Sequence, residues 1–261
     1  MRVHMKYLVS ADFGQTVDYT AVAVTRRRLE LVGEKYNYEG FEWVGNLWSG
    51  QNEPFEEVRQ DVEQHYELIR LDRVQLHTPY TQIAKGIVKI VRELGHRHRR
   101  EEGLENRPRV EVPVGLVIDE GGVGKAVKDI LREALRDGIP AGEANGEPYV
   151  DFMPVTAHGG ANTSRSGGYF HVPKRDLVHA GIVAYQNGIL KVGKLEHRGT
   201  LERELANYRL KQNLSTGHTA FEPLRDGEHD DLLFATCLAC WAWERVINKV
   251  ECRSFPNEWI A

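Results

Sequence analysis

The sequence predicts an α/β protein with a central mixed sheet of five or more strands, which opens with an antiparallel meander and is flanked by helices. Two observations support this class. Segments with strand character alternate with segments of helical spacing along most of the chain. The run that ends at residue 119 is continuously apolar, as is typical of a strand buried on both faces.

The opening residues predict three strands joined by short polar turns. They are KYLVSADFG (6–14), YTAVAVTRRR (19–28) and LELVGEKYNY (29–38). Two helices are predicted next, over 54–73 and 78–97, because apolar residues recur there every three or four positions. In the first of these helices, the predicted apolar face consists of Phe55, Val58, Val62 and Tyr66.

The rest of the chain alternates strand and helix. Strands are predicted at 110–119 and 149–160, with a helix between them that ends at Gly138. Helices over 174–190, 199–212 and 230–250 complete the series. Mobile loops are expected near 96–109, which is densely charged, and near 158–171, which contains several glycines and serines.

Composition predicts a soluble protein. The 261 residues are 41% hydrophobic and 28% charged, and neither a membrane-length apolar run nor a signal-peptide pattern is present. No repeat or low-complexity linker divides the chain, so we expect residues 1–261 to form one domain. Cys237, Cys240 and Cys252 are too few for a disulfide framework, which favours a reducing compartment. Because Cys237 and Cys240 lie in an apolar helical run, we interpret them as core thiols.

The stretch GLVIDEGGVGKAVKDIL, residues 115–131, could be a phosphate-binding loop or a strand end that presents a carboxylate. A Walker A loop needs Gly, four residues, Gly-Lys and then Ser or Thr. Here Ala126 follows Gly124 and Lys125, and Asp119 occupies the place of the first Gly. The sequence therefore favours a strand, turn and helix in which Asp119 ends the strand.

The order of elements, three hairpin strands followed by helix, strand, helix, strand and helix, is that of the ribonuclease H-like fold. In that fold the first and fourth strands are neighbours and a late helix packs beside them. Asp12 ends the first strand and Asp119 the fourth, so the fold places both carboxylates at one edge of the sheet. Asp230 and Asp231 open the last helix and could complete the cluster.

Three motifs resemble the acidic motifs of the nuclease domain of phage terminase large subunits, which cut concatemeric viral DNA during packaging. They are VSADFGQTVDYTAVAV, VIDEGGVGKAVKDIL and GEHDDLLFATCLACW, and the resemblance extends from Lys6 to about Val246. It implies double-stranded DNA as substrate, a bacterial host cytoplasm as location, and a terminase ATPase domain, small subunit and portal as possible partners. In that family an ATPase domain with Walker motifs precedes the nuclease, and this sequence contains no such motifs.

Phosphodiester hydrolysis is a reaction in which a cluster of carboxylates can act by binding divalent metal ions. Two divalent ions about 4 Å apart can stabilise both the attacking and the leaving oxygen. Magnesium and manganese prefer oxygen ligands, and crowded carboxylates repel one another without cations. We therefore expect two Mg²⁺ or Mn²⁺ ions, with Asp12 bridging both, Asp119 holding one, and Asp230 or Asp231 the other. Taken alone, the two last aspartates fit helix capping better than metal binding, and only their joint placement with Asp12 and Asp119 favours the metal site.

Five further residues are candidates for supporting roles. His229 could be a second-layer group or proton carrier, and Glu120 is a weaker candidate because it points away from Asp119 if the strand continues. Lys174, Arg175 and Arg165 are expected to contact DNA phosphates, which position the backbone without reading sequence.

Two other functions stay open at this stage. Actin-like and sugar-kinase-like ATPases share the core fold, and DFGQT faintly resembles their first phosphate loop, which would make the chain an ATPase or phosphotransferase. A non-catalytic module for DNA binding or packaging assembly would use the acids only structurally and would show no metal-dependent stabilisation.

Overall fold

The computed structural model describes residues 3–14, 18–44, 51–139, 146–212, 219–223 and 230–248. The strands within these ranges are β1 Tyr7–Asp12, β2 Ala21–Val44, β3 Gln51–Arg73, β4 Pro113–Asp119, β5 Tyr149–His158, β6 Ser164–Ser166, β7 Tyr169–Pro173, β8 Leu190–Val192, β9 Tyr208–Gln212 and β10 Thr219–Pro223. The helices are α1 Tyr80–Glu101, α2 Gly124–Gly138, α3 Lys174–Gln186, α4 Arg198–Asn207 and α5 Asp231–Ala242, which continues into a π-helical turn, Trp243–Ile247.

Eight of these strands form one mixed sheet in the order β6-β7-β5-β4-β1-β2-β3-β8. β1 pairs antiparallel with β2 and parallel with β4, so the predicted opening meander and the predicted contact of the first and fourth strands are confirmed. β4, β5 and β7 run parallel to β1. Their carboxyl ends therefore meet at one edge, and the order β3-β2-β1-β4-β5 is that of the ribonuclease H-like core.

The long β2–β3 hairpin differs from the prediction in two places. The strand expected at 29–38 is a continuation of β2, and the helix expected at 54–73 is strand β3, paired with β2. The local spacing of apolar residues favoured a helix, but pairing with β2 satisfies the backbone of this segment. Tyr66 and Leu68, two residues apart, are buried in the same core, which is the periodicity of a strand.

Helices cover both faces of the sheet. Alternate residues of β1 divide between two cores: Tyr7, Val9 and Ala11 pack with α1 and α2, whereas Leu8 packs with α3 and α5. α5 is buried on all sides because it lies on β1 and β2 and beneath α3. This explains why its sequence is apolar around the whole helix.

The cysteines of α5 behave as the sequence predicts. Cys237 and Cys240 are buried free thiols, and burial raises the pKa of Cys240 to about 12. A methyl group on Gly181 of α3 would lie 2.4 Å from the Cys237 sulfur, so the two helices approach closely at this point. Both thiols belong to the helix interface. Cys252 lies outside the described residues.

The two predicted loops are partly ordered elements. Residues 96–101 belong to α1, where buried Arg99 donates hydrogen bonds to the carbonyl oxygens of Arg107 and Val110 and so ties the helix to the turn after it. Within 158–171, β6 and part of β7 form a hairpin. Its turn consists of Gly167 and Gly168, both at positive φ, which glycine adopts without strain.

No helix among the described residues combines the length and apolar character needed to cross a membrane.

Candidate active site

Asp12 and Asp119 lie side by side at the carboxyl edge of the sheet. β1 and β4 are in parallel register with Ala11 opposite Ile118, and each aspartate is the next residue of its strand. Asp12 is also opposite Ala21 of β2, which is in turn opposite Arg73 at the end of β3. The pairing register therefore places two acids and one base in a single row across four strands.

A cleft of about 220 Å³ opens above this row. Its acidic lining comes from Asp12, Asp18, Asp230 and Asp231. Two glycines let the chain turn tightly beside it: a methyl group on Gly14 would lie 2.1 Å from the Asp18 carbonyl oxygen, and one on Gly124 would lie 2.2 Å from that of Asp119. Any larger residue at these positions would clash with these backbone oxygens, so the backbone would have to shift.

Burial and mutual repulsion perturb the strand acids. Burial, then the nearby Asp119, Asp230 and Asp231, hold the pKa of Asp12 well above its usual range. Burial also raises the pKa of Asp119, although backbone N–H groups oppose the shift. The Gly121 amide donates to Asp119 Oδ1 at 3.0 Å and that of Ala157 at 3.5 Å. The negative charges of the three other acids therefore all act on the Asp12 carboxyl.

The two acids of α5 have different surroundings. Asp231 is buried, and its two carboxylate oxygens accept hydrogen bonds from Arg73, Oδ2 from Nε at 2.9 Å and Oδ1 from Nη2 at 3.0 Å. The side chain of Asp230 is 28% exposed and lies near Lys174, with 3.5 Å between Nζ and Oδ2. Lys174 also lies over the Phe234 ring, 5.1 Å from its centre.

Arg73 and Glu204 are residues that the sequence analysis did not identify. Arg73 Nη2 donates to Glu204 Oε1 at 2.7 Å, and the guanidinium lies over the Tyr19 ring. The Leu233 amide donates to Glu204 Oε2 at 2.8 Å. Arg73 could not be found because the sequence placed it in a helix, and Glu204 has no local signal because its partners are distant in the chain.

The start of α5 is not capped as the sequence suggested. Asp230 occupies the capping position, but its side chain makes no capping hydrogen bond. Glu204, which comes from α4, instead accepts from the Leu233 amide, one of the first-turn amides that have no partner within the helix. The carboxylate of Asp230 is therefore not used for capping.

The carboxylate oxygens at this edge are the type of ligand that a hard divalent cation prefers. Asp12, Asp119 and the α5 acids supply carboxylate oxygens, and the pKa of Asp12 is raised first by burial and then by the negative charge of the neighbouring acids. Within the part of the chain that the structure describes, however, no three His, Cys, Asp or Glu side chains are already grouped to hold an ion. Binding would therefore have to draw these carboxylates together.

The proposed phosphate-binding residues are distributed over two surfaces. Lys174 lies at the acidic edge beside Asp230. Arg175 is exposed and donates to the Ala161 carbonyl oxygen at 2.8 Å. Arg165 lines a different cleft, of about 470 Å³, where it covers the Phe170 ring. His229 lies outside the described residues.

Glu120 is directed away from the cleft, as the strand geometry predicts. It is buried and forms an ion pair with Lys128 of α2, whose ammonium also lies 4.7 Å from the centre of the Tyr169 ring. Glu120 does not line the acidic cleft. Its charge is compensated within the layer formed by the sheet and α2.

The glycine turn after β4 has hydrogen-bonding partners within the protein. The amide of Gly121 donates to the Asp119 side chain, and that of Gly124 to the Gly121 carbonyl oxygen at 2.9 Å. A phosphate loop presents such amides to its ligand. Two of the donors are therefore already engaged in shaping the turn that holds Asp119.

Comparison with known proteins finds likeness at the level of three-dimensional structure. No protein-family model and no curated protein sequence matches the chain. Three solved structures of the human cytomegalovirus terminase nuclease domain are similar to it. A manganese-soaked form has 11% identity and a TM-score of 0.41, and covers 94% of this chain and 87% of that one. A manganese-soaked, inhibitor-bound form has 9% identity and a TM-score of 0.42, with 94% and 85% covered. A third has 10% identity and a TM-score of 0.43, with 94% and 87% covered.

Proposed function

We propose that this protein is a divalent-metal-dependent DNA endonuclease that hydrolyses phosphodiester bonds, with the role that its motifs suggest, cutting concatemeric viral DNA during packaging. The observation that carries the proposal is the pairing of Asp12 and Asp119 on adjacent parallel strands, beside a cleft that also contains Asp230 and Asp231. Four carboxylates from three separate elements at one sheet edge repel one another, and a cation would relieve that repulsion.

The chain's own residues would act as ligands and as electrostatic partners. Asp12 would contribute to holding two Mg²⁺ or Mn²⁺ ions, together with Asp119 and one of the α5 acids. When bound, such ions activate water and stabilise the charge that develops on the phosphate. Asp12 would give up the proton that its raised pKa favours, because a cation replaces that proton as the compensating charge.

Lys174 is the best-placed residue for contact with the substrate phosphate. It lies beside Asp230, with 44% of its side chain exposed, and the adjacent Arg175 is exposed as well. Arg165, which lines a different cleft, would contact DNA only beyond the acidic cleft. Such contacts predict weak sequence preference and cleavage that falls steeply as salt rises.

The wider setting is part of the same proposal. A terminase ATPase domain, a small terminase subunit and a portal would be the partners, and a bacterial host cytoplasm the location. These assignments rest on the sequence motifs. An ATPase function of this chain is not favoured, because two amides of the glycine turn at Gly121–Gly124 already have protein acceptors.

The test is cleavage of supercoiled and linear plasmid with Mn²⁺, Mg²⁺ or EDTA. Asp12→Asn and Asp119→Asn should abolish cleavage, and EDTA should do the same to the parent protein. Asp129→Asn, an exposed carboxylate on α2, is the matched control and should cut normally. Folded parent protein that cuts nothing with either metal, and gains no thermal stability from them, would falsify the proposal and favour a non-catalytic module.

A further inference from the structure

We propose that Asp230 is the α5 acid that binds metal, and that Arg73 and Glu204 are positioning residues that hold Asp231 and the start of α5 in place. This assignment rests on the proposed function. It separates two adjacent aspartates that the sequence leaves equivalent.

Asp231 is committed to Arg73. Both of its carboxylate oxygens accept hydrogen bonds from the guanidinium, and only 6% of its side chain is exposed. A guanidinium is always charged and fits a carboxylate with two parallel hydrogen bonds. If Asp231 bound a metal ion, Arg73 would lose both bonds and would face a second cation while 18% exposed. That exchange is unfavourable.

Asp230 has a weaker and more mobile partner. Its contact with Lys174 is a single 3.5 Å approach, and 44% of the Lys174 side chain is exposed. A lysine ammonium on a flexible stem can leave for water at little cost. Asp230 can therefore exchange Lys174 for a metal ion without leaving a buried charge unpaired.

Glu204 makes this arrangement possible. A residue at the position of Asp230 ordinarily turns its carboxylate back to cap the helix. Here Glu204 accepts from the Leu233 amide instead, and its other oxygen binds Arg73. The same carboxylate therefore caps α5 and orients the guanidinium that holds Asp231. Glu204 thus holds the first turn of α5, and Asp230 lines the cleft without a capping role.

The experiment measures Mn²⁺ binding to the full chain by titration calorimetry, and melting temperature in EDTA. Asp230→Asn should weaken Mn²⁺ binding by about tenfold or more and leave the EDTA melting temperature unchanged. Asp231→Asn should weaken Mn²⁺ binding by less than about threefold but lower the EDTA melting temperature by roughly 10 °C, because it removes one of the two buried carboxylates that pair with Arg73.

Substitutions of Glu204 test positioning. Glu204→Gln keeps an acceptor for the Leu233 amide and should bind Mn²⁺ within about threefold of the parent, whereas Glu204→Ala should bind about tenfold more weakly. A residue with a merely structural role would lower melting temperature in both variants without this difference in affinity.

Opposite results would overturn the assignment. If Asp230→Asn binds Mn²⁺ with the affinity of the parent, this result alone overturns the assignment, even if Asp231→Asn fails to fold. Equal loss of binding in both variants also overturns it, because both acids would then be ligands. Parent protein that binds no Mn²⁺ and cuts no DNA overturns the proposed function itself, whereas parent protein that cuts DNA while the order of the variants is reversed overturns only the assignment.

Discussion

The strand half and the helix half of the acidic edge hold their carboxylates in different ways. On the strand half, Asp12 and Asp119 lie half-buried next to each other, and no lysine or arginine among the described residues forms an ion pair with them. On the helix half, Asp231 is bound by Arg73 and Asp230 lies near Lys174. The strand half is therefore an unbalanced concentration of negative charge that favours a cation, whereas the helix half already contributes to the stability of the fold.

The largest effect should come from Asp12→Asn. We expect cleavage to fall about a thousandfold, equivalent to about 4 kcal/mol of transition-state stabilisation, because the central ligand is lost. Stability without metal should change little, since the raised pKa of Asp12 already favours its neutral form. Single-turnover cleavage and urea unfolding in EDTA measure the two quantities.

A large loss of metal-free stability in Asp12→Asn would contradict the comparison, because the strand half would then stabilise the fold as the helix half does. Asp129→Asn serves as the control for both measurements.

The next largest effect should be on stability, through Arg73→Met. Removing the guanidinium leaves Asp231 and Glu204 buried without their cation, which costs about 3–5 kcal/mol. Arg70→Met on the same strand is the matched control. Arg70 pairs with Asp72 at the surface, where an ion pair contributes about 0–1 kcal/mol. Urea unfolding in EDTA measures the stability of both variants. Equal losses of unfolding free energy would show that the buried contacts of Arg73 with Asp231 and Glu204 have no special role.

Glu204 should give the helix half a pH dependence. Burial raises the pKa of Glu204 from 4.5 to about 7, with Asp231 adding to the shift and the Leu233 amide and Arg73 opposing it. A carboxyl with a raised pKa in the folded state stabilises the fold fully below the unfolded pKa, and this stabilisation is lost as pH rises through the folded value.

The free energy of unfolding in EDTA should therefore fall between about pH 4.5 and 7, by up to about 3 kcal/mol from this group. Glu204→Gln does not titrate and should flatten that part of the profile. If unfolding free energy falls with pH equally in Glu204→Gln and in the parent, a group other than Glu204 causes the pH dependence.

The sequence predicted those parts of the fold whose signal is local. β4, α2, β5 and α5 follow from an apolar run, a helical period or a helix-ending glycine within each segment. The helix predicted at 54–73 was wrong because the structure of this segment depends on pairing with β2, and its apolar spacing matched a helix by chance. Non-local pairing overrides such local spacing.

The site follows the same rule: the sequence predicted the contacts that depend on strand order and missed those between distant segments. The proximity of Asp12 and Asp119 follows from the strand order, and the structure brings them together. The Arg73–Glu204–Asp231 network joins residues 131 and 158 positions apart, so no local pattern could reveal it. Placing Arg73 in a helix also hid the fact that it ends a strand in the same row as Asp12.

The smallest predicted effect concerns Glu120 and extends the comparison to a second pair of adjacent acids. Asp119 and Glu120 divide their roles as we propose for Asp230 and Asp231. Glu120 is buried against Lys128, whereas Asp119 lies beside Asp12. Glu120→Gln keeps an acceptor for Lys128, so it should cost only about 1 kcal/mol of stability in urea unfolding. Mn²⁺ affinity and cleavage should stay within about twofold of the parent. A larger loss of Mn²⁺ affinity would mean that the charge of Glu120 acts on the cleft. Pairing with Lys128 would then not be enough to separate the role of Glu120 from that of Asp119.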